Sequence, residues 1–173
     1  TIAGTKGADG FVDGVLDTGK LNTPSGVAAA NVGGALTVFV TSYHSVRQVV
    51  VDSTELTTVA GAGSAAVDVG SVDAIGTAAR FSYPTGIAVT GDGARLFVTD
   101  GEQNSARRIR QIILATKAVS TLAGSTTIGA NDAIGALATF STNVNNQNPP
   151  VVDSEVQPVS FVEVATGRPV AIP

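Results

Sequence analysis

Cysteine, methionine and tryptophan are absent from the chain. Without cysteine there are no disulfides and no thiolate metal sites. Lysine occurs only at Lys6, Lys20 and Lys117, and the single histidine is His44. With a net charge of −4, this scarcity argues against nucleic acid as the main partner, because phosphate neutralisation needs a basic surface. Arg107, Arg108 and Arg110 form the one basic cluster, and alternation along a strand would split it between two sides. Charged residues make up 14% of the chain, and the aromatics are six Phe and two Tyr. No apolar run approaches the about 20 residues of a membrane-spanning helix. The absence of Met even at the first position suggests a processed chain or a fragment.

What is present is Val, Ala, Thr and 20 Gly, a mixture that favours short strands and tight turns over helices. It also repeats. Arg110 to Gly124, RQIILATKAVSTLAG, matches Arg47 to Gly61, RQVVVDSTELTTVAG, without a gap. A second pattern aligns on Leu21, Phe81 and Phe140. Each is preceded by a glycine (Gly10, Gly70, Gly129), an aspartate (Asp13, Asp73, Asp132) and a branched residue (Val15, Ile75, Ile134) at constant offsets. After the first two copies stand Pro24-Ser25-Gly26 and Pro84-Thr85-Gly86, which predict a tight turn into a strand. Internal repetition of this length implies stacked copies of one unit.

Within each full copy four short strands are predicted. They lie at 26–30, 36–42, 46–52 and 56–61 in the first copy, and at 86–90, 95–100, 107–114 and 118–124 in the second. Gly33-Gly34 and Gly91-Asp92-Gly93 supply the inner hairpin turns, and Ser53-Thr54 and Thr116-Lys117 the outer ones. A four-stranded meander cannot bury both its faces alone, but copies packed face to face can. The fold class expected is therefore all-β: a propeller-like stack of four-stranded antiparallel blades, incomplete as a closed ring within this chain. Residues 1–4 match the last strand of a preceding blade. Residues 5–61 and 62–124 are the two repeats, and 125–142 begin a third. Residues 143–173 lack the Pro-x-Gly turn and are predicted to be a Pro/Asn-rich linker with diverged strands, or an arm used in assembly.

The blocks TIAG, GADGFVDG, LNTPSGVA and LTVFVTSYHSVRQV, followed by ARFSYPTGIAV, RLFVTD, RIRQI and VSTLAG, resemble the NHL-repeat β-propellers over residues 1 to about 141. That resemblance implies a propeller of extracellular or scaffold type. It implies protein, glycan or RNA partners, while a few such domains resemble lyases and hydrolases. It speaks to fold more strongly than to activity.

In a meander of this kind the loops between repeats and the loops between the second and third strands emerge at the same end. This end is the expected ligand face, and its candidates are Asp9, Asp13, Asp73, Asp132, Tyr43, His44, Glu102 and Asn104. The recurring aspartates admit two readings, an oxygen-ligand cation or sugar site and an N-cap on a short helical turn. Recurrence in every unit favours the cap. Arg47 and Arg110 recur as well, and are expected to pair with carbonyls or with an acidic residue, Asp52 and Asp100 being the candidates. A lone His44 lacks the partners of a triad or a zinc site, and the resemblance places it in support of the blade. The Gly-rich loops at Gly61 and Gly124 precede no Lys-Ser/Thr helix, so they are not phosphate cradles.

No catalytic, cofactor or metal residue is assigned. The expected function is non-enzymatic: an extracellular or cell-surface interaction or assembly protein. Its partners would be other copies of itself, other blades of a longer chain, or protein or glycan. The alternatives are a structural subunit of a filament or surface appendage joined through the C-terminal arm, and a fragment of a propeller enzyme with an axial metal. Ser/Thr clusters leave room for O-linked sugars.

Overall fold

A computed structural model describes residues 1–4, 7–15, 18–63, 68–101, 107–125, 127, 131 and 133–140. The predicted segment 143–173, and the candidates Glu102, Asn104 and Asp132, lie outside the described residues. The architecture is all-β, with two antiparallel sheets that do not close into a barrel. Among the described residues no helix is long and apolar enough to cross a membrane.

The first sheet contains β1 (Gly14–Val15), β2 (Pro24–Val32), β3 (Ala35–Ser42), β4 (Ser45–Val50) and β5 (Glu55–Gly61), in the order β1-β5-β4-β3-β2. The second contains β6 (Ile87–Val89), β7 (Arg95–Asp100), β8 (Arg108–Ile113) and β9 (Ala118–Ala123), in that order. The eight predicted strands are therefore present, with ends displaced by a few residues. β1 was not predicted: it is a two-residue strand from the loop that opens the first repeat, added to the outer edge of β5. Thr1–Gly4 forms no strand among the described residues. Its Gly4 has a φ of 95°, close to the 91° of Gly61 and the 93° of Gly124, which close the matching blocks.

Local chemistry accounts for the meanders. Gly33 and Gly34 both take positive φ, as a two-residue turn that matches strand twist requires. In the second sheet the Asp92 carboxylate accepts from the Thr90 hydroxyl and the Ala94 N–H and closes the equivalent turn. The outer hairpins turn through Thr54 and Lys117, both left-handed. A bulge falls at the same place in each sheet, between Val46 and Arg47 and between Ile109 and Arg110.

Each sheet has two sides, set by the alternation of strand residues. One carries the buried arginine: Val40, Arg47 and Thr58 in the first sheet, Val98, Arg110 and Thr121 in the second, are in register. The opposite side carries Phe39 or Phe97. The shared core forms where the phenylalanine side of the first sheet (Phe39, Val46, Val59, Ala60) meets the arginine side of the second (Leu96, Val98, Ile112, Val119), with Ala79 and Phe81 between them. The two sheets thus stack face to face like successive blades, and β2 lies beside β6.

Gly26 sits at this junction. The Pro-x-Gly pattern predicted a tight turn, and the left-handed residues of the two turns are Thr23 and Tyr83, before each proline, not the glycines. What Gly26 supplies is space, because a Cβ there would stand 2.1 Å from the Thr85 carbonyl oxygen of the other sheet.

Candidate functional site

Described residues of the long loop before each sheet are paired to that sheet. They run back along its outer edge. Val72 pairs with Arg80 within the second loop, and the Val119 N–H donates to the Ala74 carbonyl. The Gly76 N–H donates to the Lys117 carbonyl, and the 3₁₀ turn Gly76–Ala78 that follows packs on β5 of the first sheet. The loop therefore touches both sheets.

An arginine clamps each loop. The Arg47 guanidinium, fully buried, donates to the Lys20 carbonyl (3.1 Å), the Val12 carbonyl (3.0 Å) and Asp13 Oδ1 (2.5 Å). Asp13 in turn accepts from the Thr58 N–H (3.1 Å) and hydroxyl (2.9 Å). The second copy repeats the arrangement. Arg110 donates to the Arg80 carbonyl (3.1 Å), the Val72 carbonyl (3.0 Å) and Asp73 Oδ1 (2.7 Å), while Asp73 accepts from the Thr121 N–H (2.9 Å) and hydroxyl (3.1 Å). Each guanidinium also lies over an aromatic ring, Arg47 over Phe11 at 4.6 Å and Arg110 over Phe81 at 5.0 Å. The rings face cations whose buried Nε groups have no acceptor among the described residues.

This geometry overturns the capping reading of the aspartates. The residue before the Gly76–Ala78 turn is Ile75, and no side chain caps it. Asp73 lies further back and caps an edge position of β9 instead. Its carboxylate is engaged by Arg110 and Thr121 and so serves the clamp. Among the described residues no group of three or more His, Cys, Asp or Glu is placed to hold a metal ion.

The arginine partners are also corrected in part. Asp100 pairs with Arg110 at 2.8 Å, as one of the two sequence candidates, and both side chains are fully buried. Asp52 lies exposed in a turn, and Arg47 pairs with Asp13 instead. The first sheet has Ser42 where the second has Asp100. Both do the same task for the backbone: the Asn22 N–H donates to Ser42 Oγ, and the Ser82 N–H donates to Asp100 Oδ1. Only the second sheet therefore carries a buried carboxylate.

The electrostatics follow from burial. Burial pulls Arg47 below the ordinary arginine value, with Asp13 opposing it. Burial pushes Asp100 above the usual carboxylate range, against the opposing pull of the Ser82 N–H and Arg110. Partial burial also pushes Asp73 upward, but the Thr121 N–H and Arg110 together outweigh it, and its carboxyl is held below the usual range.

Of the remaining candidates, Asp9 is exposed on its loop. Tyr43 and His44 form the hairpin between β3 and β4 and meet Tyr83, which sequence reasoning had not singled out. The ring centroids lie 4.0 Å apart for Tyr43 and His44, 4.4 Å for His44 and Tyr83, and 5.3 Å for the two tyrosines. His44 is fully buried in this cluster. Tyr83 precedes Pro84 in the turn that enters the second sheet, so the cluster spans the junction between the two repeats. The repeat gave no signal for it, because Tyr43 lies in the β3–β4 hairpin while Tyr83 holds the place that Thr23 has before Pro24.

No family model matches the chain, and no curated protein matches it.

Proposed function

We propose that this is a non-enzymatic interaction or assembly protein of the extracellular space or cell surface, built on NHL-like blades. The observation that carries this reading is the arginine clamp. It occurs twice at equivalent places, and each time an arginine and an aspartate hold a loop to a sheet. A general acid or base needs a proton or a lone pair available to a substrate. The clamp leaves its carboxylates engaged by Arg and Thr, which suits a stiff frame. The low lysine content and the abundance of Thr, Ser, Gly and Ala support an extracellular setting. The partners proposed are other copies of the chain or further blades, and protein or glycan.

The test is sedimentation of the intact protein over a concentration series, alone and with a panel of extracellular proteins and soluble glycans. Saturable association with itself or with a member of the panel is expected. A chain that stays monomeric and binds nothing in the panel would overturn the reading.

A further inference from the structure

The junction between the two sheets uses one side of each. The first sheet offers its phenylalanine side and the second its arginine side. Among the described residues, the first sheet's inner arginine side and the second sheet's phenylalanine side therefore have no sheet against them. Val27, on the former, is 69% exposed. On the latter Leu122 is 40% exposed, whereas Val59, at the matching position in the first sheet, is 1% exposed beneath the junction.

The uncovered side of the second sheet also carries a finished set of connectors. In the first sheet the Thr41 hydroxyl accepts from the Gly26 N–H (2.7 Å), contacts Ser25 Oγ (3.0 Å) and donates across the junction to the Thr85 carbonyl (3.0 Å). Ser25 Oγ donates across it to the Pro84 carbonyl (2.9 Å). In the second sheet Thr99 stands in place of Thr41. Its hydroxyl accepts from the Gly86 N–H (2.7 Å) and contacts Thr85 Oγ1 (3.1 Å). The same knuckle is thus built and exposed. The matching acceptors would be the carbonyls of Pro24 and Ser25, which belong to the chain's own first sheet. The nearest atoms to a Cβ on Gly86 would be those of Thr99 in its own sheet, whereas the nearest to one on Gly26 would be the Thr85 carbonyl oxygen across the junction.

We infer that the phenylalanine side of the second sheet, centred on Thr99 and Leu122, binds the arginine side of the first sheet of a second copy. This contact continues the intrachain junction, and it rests on the assembly reading above. The surfaces are different on the two partners, so the association is head-to-tail and leads to a ring if the rotation closes, or to a filament if it does not. Every contact needed is one that the chain already makes once within itself.

The experiment uses the full chain and two variants at exposed positions, Leu122→Glu and Val27→Glu, each checked for unchanged far-UV circular dichroism. In sedimentation the parent chain is expected to exceed the mass of one chain, increasingly so with concentration. Each variant alone should fall to one chain. Mixed, the variants should form a 1:1 dimer and nothing larger, because each retains one competent face. A parent chain that associates and is unmoved by both variants overturns this interface and leaves the broader assembly reading standing. A parent chain that is monomeric overturns the interface too. If Leu122→Glu then lowers the thermal midpoint, residues 141–173 of the same chain are the occupant of that face instead.

Discussion

At the scale of the residue, the choice of arginine follows from the number of partners. Arg110 reaches two carboxylates and two carbonyls at once, which a planar fork with several donors can do and a lysine ammonium cannot reproduce in the same directions. The two carboxylates respond oppositely to acid. Asp73 has a lowered value in the fold, so its contribution is present above the ordinary aspartate value of about 3.9 and is lost as pH falls through the folded value. Asp100 has a raised value, so the stability that its ionised form withholds at neutral pH returns as pH falls through its folded value towards about 3.9. Followed as thermal midpoint between about pH 7 and about pH 3, Asp100→Asn should lose more stability than the parent on acidification, and Asp73→Asn less. The Asp73 effect is the smaller one, because its side chain is 47% exposed and solvent screens the pair. Two variants that track the parent in parallel would show that neither carboxylate titrates through the clamp.

At the scale of the element, space and conformation make different demands on glycine. Gly33 has a φ of 58° with nothing near its missing Cβ, so Gly33→Ala should cost about 1 kcal/mol for the left-handed backbone alone. Gly26 has ordinary φ, but an added methyl would stand 2.1 Å from a backbone oxygen across the junction. Backbone cannot swing aside as a side-chain tip can, so β2 and β6 would have to separate. Gly26→Ala should cost about 3 kcal/mol, the upper part of the range for overpacked cores. Urea unfolding midpoints of the two variants give the comparison, and equal shifts would remove the close approach as the reason for Gly26. The loops teach a related lesson. Described residues of each long loop pair through the backbone with the outer strand, and β1 is the clearest case. Such pairing also covers edges that would otherwise offer free N–H and C=O groups.

At the scale of the whole molecule, the described residues of the two sheets share one core. Phe39 from the first sheet packs in the same cluster as Leu96, Val98 and Ile112 from the second. Phe39→Ala should cost about 3–5 kcal/mol, the usual range for a buried ring, and the loss should reach both sheets. Native-state hydrogen exchange provides the readout. Amides of β8 should lose protection by the same free energy as those of β4. Protection in β8 that survives the substitution would mean that the sheets open separately, and that stacking adds little to either.

The strands themselves were legible because their causes are local. Glycine pairs and Asp92 mark the turns, and β-branched alternation fills the intervals. The spacing of Arg47 and Arg110 marks the repeat in the sequence itself. The aspartates were located by the same periodicity but assigned the wrong task, because the sequence records that Asp13 and Asp73 recur and not which donors lie across the fold from them. Only tertiary structure brings Thr58 N–H within 3.1 Å of Asp13, 45 residues away, and Thr121 N–H within 2.9 Å of Asp73. It alone chose Asp100 over Asp52, since burial beside an arginine depends on which side of a sheet is covered. It also decided what Gly26 is for. Composition and period determined that this chain makes short antiparallel strands in repeated blades. Packing determined which side of each blade is covered, because that depends on contacts between residues far apart in the chain, which no local pattern encodes.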